Sequence, residues 1–128
     1  ASYRRQRQMC IRDSRYPFEI WIAPYRRTSN IFELSENEQK DLAELMLDAS
    51  KSLDKVFDDP MPYTLAWQLS PKGYENSYHF HVCFQPIRRS KTKLKYLAGV
   101  EQISGFFLVD LPPERSARIL RGEELPDE

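Results

Sequence analysis

Residues 35–57 constrain this chain most. Ser35-Glu36-Asn37-Glu38 has the spacing of a capping box, in which the serine hydroxyl accepts from a first-turn N–H and Glu38 reaches back. Leu42, Leu45, Met46, Ala49, Leu53 and Val56 then recur on one helical stripe, and Asp58-Asp59-Pro60 stops the run near Phe57. A helix with one apolar stripe must pack that stripe on another element. The sequence supplies strands for it. Phe18, Ile20 and Ile22 share a face of a strand over 18–23 that ends at Pro24, Tyr63 to Leu69 alternates, and so does Tyr78 to Gln85. In the last of these Phe80, Val82 and Phe84 point one way and His79, His81 and Cys83 the other. Ile103 to Val109 reads as a fourth strand, and Pro112-Pro113-Glu114 starts a short helix that Gly122 ends. The expected fold class is α+β: an antiparallel sheet with one long packed helix over one face and a short C-terminal helix. The histidine face is either open or covered by a partner.

Composition removes several function classes. The 128 residues carry 19 Lys+Arg against 19 Asp+Glu, which excludes a strongly electrostatic nucleic-acid or membrane-surface binder. No apolar run approaches the roughly 18–20 residues that span a bilayer. Two cysteines make neither a disulfide framework nor a cysteine-rich zinc module. The chain shows no apolar signal-peptide core and does not begin with Met, so the expectation is a piece of a longer, cytoplasmic protein.

Residues 1–14 are expected to stand outside the fold. Arg4 to Ser14 has no period of 2 or 3.6 and resembles one reading frame of a transposon-type sequencing-library adapter, residue by residue. On this reading 1–14 is an adapter-derived, non-native segment that pairs with nothing. The native domain then runs over 15–122, with a loose tail at 123–128. Without Arg4, Arg5, Arg7, Arg12 and Asp13, fifteen basic residues face eighteen acidic ones, a net charge of −3.

His79-Phe80-His81 is the most informative spacing. Residues i and i+2 of a strand lie about 6.6 Å apart on one face, so two imidazoles there can share a metal or meet one phosphate. The same spacing suits a half-buried sheet face whose histidines hydrogen-bond to neighbours, since a metal normally takes three or four protein ligands. Cys83, two residues further on, reads as a small buried hydrophobe. Arg88, Arg89, Lys91, Lys93 and Lys95, with Arg27 adjoining, could gather phosphate oxygens or form a solvated loop. Gly99-Val100-Glu101 and Gly105 could admit a ligand close to the backbone, with Glu101 accepting from sugar hydroxyls, although tight turns explain glycines equally. Phe106-Phe107 reads as core.

Several of these segments, taken in order, resemble one family. Pro17-Phe18-Glu19-Ile20-Trp21-Ile22-Ala23-Pro24 looks like the opening of the second half of galactose-1-phosphate uridylyltransferases. His79-Phe80-His81-Val82 with Pro86 and Arg89-Ser90 resembles their histidine strand and loop. Leu94-Lys95-Tyr96-Leu97-Ala98-Gly99-Val100-Glu101 resembles a further segment, and Gly105-Phe106-Phe107, Asp110, Pro113-Glu114, Ala117 and Leu120-Arg121 follow at the family's spacing. The resemblance covers residues 16–121. It implies a histidine-triad-like half and a two-lobed parent that moves a uridylyl group between UDP-glucose and galactose 1-phosphate through a uridylyl-histidine. It places that nucleophile in a first lobe, so this chain holds no catalytic residue and is expected to be inactive alone. It implies a homodimeric parent in which Arg89, Lys95, Tyr96, Val100 and Glu101 bind the hexose and its phosphate. It also implies a structural zinc or iron ion at His79 and His81, although Gln68 stands where the family has a third histidine. The alternatives are a related nucleotidyl phosphorylase and a non-enzymatic nucleotide-binding or dimerisation module.

Overall fold

The computed structural model describes residues 6–9 by their backbone, then 15–97, 101, 104, 108, 109 and 111–127. Helix α1, Glu36–Val56, starts at the predicted cap. Ser35 Oγ accepts from Glu38 N at 3.2 Å, and Glu38 Oε2 accepts from Ser35 N at 2.8 Å. Five residues of the expected stripe are buried, and Met46 packs at their margin. Asp58, at φ 53, turns the chain out of the helix, and its left-handed backbone is tolerated because Asp is one of the few residues that adopt it.

Four strands form one antiparallel sheet: β1 (Gln6–Met9), β2 (Ile20–Pro24), β3 (Tyr63–Gln68) and β4 (His81–Pro86). Their order is β1-β2-β4-β3. Trp21 stands opposite Cys83, Ala66 opposite Cys83 from the other side, and Gln68 opposite His81. α1 lies against β1 and β2. The core between helix and sheet is built from Phe18, Ile20, Ile22, Leu42, Ala49, Leu53, Phe80, Val82 and Phe84, all 3% exposed or less. Helix α2, Pro113–Leu120, packs on α1 and buries Ile119. It ends at Gly122, whose φ of 76 lets Glu123 N reach back to Arg118 O at 2.9 Å.

Four expectations differ from the structure. β1 lies within residues 1–14, the segment expected to pair with nothing, and runs antiparallel to β2 with Gln8 opposite Ile22. Ladder pairing uses backbone groups that any non-proline residue carries, so side-chain periodicity is no guide to it. The histidine strand begins at His81 instead of Tyr78, because Tyr78 N still donates to Tyr74 O and Phe80 N donates to Thr28 O. The expected strand over 103–109 falls mostly outside the described residues. Of its described members Ser104 is helical, and Leu108 and Val109 lie in no strand. The C-terminal tail is tied down: Arg115 grips Asp127 with two 2.8 Å bonds and Glu124 with one of 2.6 Å, while Arg118 holds Glu124 at 2.9 Å. Among the described residues no helix is long and apolar enough to cross a membrane.

Candidate functional site

Two regions gather polar side chains. The first lies on the sheet face away from α1. β2 contributes Trp21, β4 contributes His81, Cys83 and Gln85, and β3 contributes Gln68. With Glu19 and Arg15 they line a cavity of about 600 Å³. Glu19 is 3% exposed and acts as a hub. Its Oε2 accepts from Arg15 N at 2.6 Å and Tyr16 N at 3.2 Å, and its Oε1 accepts from Trp21 Nε1 at 2.9 Å and the Cys83 thiol at 3.4 Å. Four donors satisfy the lone pairs of an ionised carboxylate, which makes its burial tolerable. Burial first, and the Glu19 carboxylate second, push the Cys83 thiol up to about 12. Cys83 is therefore a buried thiol rather than a nucleophile at neutral pH.

His81 occupies the expected face, His79 stands just before β4, and both rings turn to the backbone. His79 Nε2 lies 2.7 Å from Pro24 O, and His81 Nδ1 lies 3.0 Å from His79 O. A carbonyl only accepts, so both nitrogens carry the proton and donate. The His81 ring stacks on Trp21 with centroids 4.5 Å apart and faces Tyr78 at 6.1 Å. Among the described residues no group of three or more His, Cys, Asp or Glu converges on a point where a metal could sit. Gln68, opposite His81, offers a neutral amide, a weak ligand for zinc or iron. The described donors, two imidazoles and a neutral amide, therefore do not complete a zinc or iron site by themselves.

The second region follows β4. The basic run is a hairpin: Arg88 bridges Leu94, and Arg89 N donates to Lys93 O at 3.0 Å. Arg88 pairs with Asp59 at 2.8 Å. Arg27 does not adjoin this hairpin; it donates to Glu75 O and Tyr78 O and holds the 71–78 loop. Lys95 and Glu101 meet at 3.2 Å, their side chains only 8% and 3% exposed. Leu108 closes the unit, its carbonyl accepting from Lys95 Nζ at 2.6 Å and its N–H donating to Glu101 Oε2 at 3.2 Å. The ammonium also stands 5.7 Å from the centre of the Tyr16 ring. Tyr96, beside this pair, is 81% exposed. Of the expected hexose-binding residues, the structure thus brings Lys95 and Glu101 into contact, leaves Tyr96 and Arg89 at the surface, and does not describe Val100. Gly99, Gly105, Phe106 and Phe107 also lie outside the described residues.

The sequence reading passed over Glu19. The signal was present: with Phe18, Ile20 and Ile22 on the core face, Glu19 and Trp21 must share the histidine face, where a carboxylate beside apolar neighbours needs several donors.

Comparison with known proteins agrees with this architecture. The family model for the galactose-1-phosphate uridyl transferase C-terminal domain matches residues 10–128, beginning inside the segment read as foreign. A galactose-1-phosphate uridylyltransferase of Thermotoga maritima is 36% identical over 115 residues, covering 88% of this chain and 36% of that protein. A solved uridylyltransferase structure superposes with a TM-score of 0.86 at 30% identity, covering 94% of this chain and 38% of that one. A zinc-bound histidine triad family protein from Mycobacterium smegmatis shares the fold at 17% identity and a TM-score of 0.54, covering 86% of this chain and 73% of that one. The chain thus spans about a third of the length of the curated relatives it matches.

Proposed function

This chain belongs to the galactose-1-phosphate uridyl transferase family as its C-terminal domain, and from that premise we propose that it supplies the hexose-phosphate side of a uridylyl-transfer site. The observation that carries the reading is the buried Lys95–Glu101 pair beside the exposed Tyr96. A cation and a carboxylate held in one water-poor spot suit a sugar phosphate. Lys95 supplies charge for phosphate oxygens, and Glu101 supplies an acceptor that discriminates among hydroxyls. Val100 and Arg89 complete the proposed contact set. The ligands are galactose 1-phosphate and the UDP-hexoses, and the parent is a cytoplasmic homodimer.

The nucleophilic histidine belongs to the other part of the parent. His79 and His81 are both engaged by carbonyls on this chain, and a structural zinc or iron ion there takes further ligands from outside the described residues. Residues 1–14 are proposed to be adapter-derived; a copy of the parent gene from an independently prepared library tests this, and Arg4 to Ser14 reappearing there overturns it.

The experiment on function is uridylyl exchange between UDP-glucose and radiolabelled galactose 1-phosphate with the 128-residue chain alone. No exchange is expected, and turnover would show that the chain holds its own nucleophile.

A further inference from the structure

Lys95 is a buried cation with three N–H groups to place. Leu108 O accepts one at 2.6 Å, and Glu101 Oε2 lies 3.2 Å from the ammonium and takes another. Among the described residues the remaining partner of the ammonium is the half-buried Tyr16 ring, whose centre lies 5.7 Å away. An aromatic face attracts a cation through its quadrupole and is only a weak hydrogen-bond acceptor. The ring therefore steadies the charge without committing the third N–H, as a third oxygen would.

The main chain holds Tyr16 in place for this contact. Its N–H donates to Glu19 Oε2 at 3.2 Å, and its carbonyl accepts from Glu19 N at 3.3 Å. Pro17 follows, which disfavours helical backbone angles at Tyr16. Phe18, at φ 60 and buried, closes the turn and packs edge-on against Phe57. The Glu19 that clamps both main-chain groups of Tyr16 also accepts from Trp21 and Cys83 on the wall of the sheet-face cavity. Tyr16 thus joins the two polar regions: a turn fixed on the first presents a ring to the ammonium of the second.

We propose that Tyr16 is a positioning residue of the hexose-phosphate site, its ring fixing the Lys95 ammonium while leaving one N–H for a phosphate oxygen. The inference rests on the reading that Lys95 meets the phosphate, and it adds the residue that aims it. What Tyr16 contributes is its ring, since no described residue hydrogen-bonds its hydroxyl. Tyr16→Phe therefore keeps the effect. Tyr16→Leu, apolar but without a π face to attract a cation, loses it.

Nuclear magnetic resonance of the 128-residue chain, titrated with galactose 1-phosphate, tests it. Before ligand is added, the ring current is expected to hold the ε-methylene protons of Lys95 upfield in the unaltered chain and in Tyr16→Phe. In Tyr16→Leu they are expected at ordinary positions. On titration, Tyr16→Leu is expected to bind galactose 1-phosphate about tenfold more weakly than the unaltered chain, and Tyr16→Phe within about twofold of it. Tyr16→Met, equally without a ring, serves if the leucine variant misfolds. A folded ringless variant that binds as tightly as the unaltered chain overturns the inference alone. So does an equal loss in Tyr16→Phe, and so do Lys95 signals that stay in place when the ring is removed. No binding by the unaltered chain contradicts the hexose-phosphate reading itself and takes this inference with it.

Discussion

Glu19 and Trp21, two residues apart on the same face, are joined by a 2.9 Å hydrogen bond from the indole N–H to the carboxylate. That bond is one of four that Glu19 accepts, and it ties the start of β2 to β4 through Cys83. Glu19→Gln turns one acceptor oxygen into a donor among donors. It is expected to lower the unfolding free energy by about 3 kcal/mol, the scale of charged hydrogen bonds lost in a buried site. Urea denaturation of the two proteins measures the difference.

Cys83 should resist alkylation. In a Cys10→Ser background, iodoacetamide at pH 8 is expected to leave the folded chain unmodified and to label it at once in denaturant, because burial and Glu19 hold the thiol up to about 12. Mass spectrometry reads the outcome, and rapid labelling of the folded chain contradicts it.

Glu38 sets an acid limit. The Arg26 guanidinium, bonded at 2.8 and 3.1 Å, holds this capping carboxyl down to about 2 from its ordinary 4.5. The unfolded chain therefore takes up this proton first. The stability it contributes is full above about 4.5 and is lost as the pH falls towards about 2. Glu38→Gln is expected to cost about 2 kcal/mol at neutral pH, discounted for the exposed arginine, and almost nothing at the acid end. Paired melts across that window give the measurement.

What could be read from the amino acids divides by the range of the interaction. α1 was legible because its cap and stripe are local patterns, and β2, β3 and β4 because alternation is local too. β1 was invisible, since the backbone of Gln6–Met9 pairs with β2 whatever its side chains. The clamp of Arg115 on Asp127, twelve residues away, leaves no local trace. Phe18 was placed in the first strand, yet it sits at φ 60, a backbone that its apolar pattern does not announce. At the candidate site, Lys95 and Glu101 came from a resemblance, and only the fold shows that they touch. His81 is on the expected face and His79 lies before the strand, and carbonyls at Pro24 and His79 decide where their protons go.

Gln68 offers a direct check on that face. It stands opposite His81 across β3 and β4, so Gln68→His adds a third imidazole to the same surface. The variant is expected to bind Zn²⁺ measurably tighter than the unaltered chain in a competitive chelator titration. Equal affinity would show that the His79 and His81 carbonyl bonds keep both rings from sharing a metal.

The central assignment, a sugar-phosphate site at Lys95 and Glu101, is tested most directly in a chimera in which residues 15–122 replace the C-terminal domain of the Thermotoga maritima enzyme. The chimera is expected to transfer uridylyl groups to galactose 1-phosphate. Glu101→Gln keeps an acceptor for Leu108 N but removes the charge paired with the buried Lys95; in the variant that circular dichroism shows to be folded, kcat/KM for that sugar is expected to fall about a hundredfold. Unchanged kcat/KM in a folded Glu101→Gln chimera contradicts the assignment.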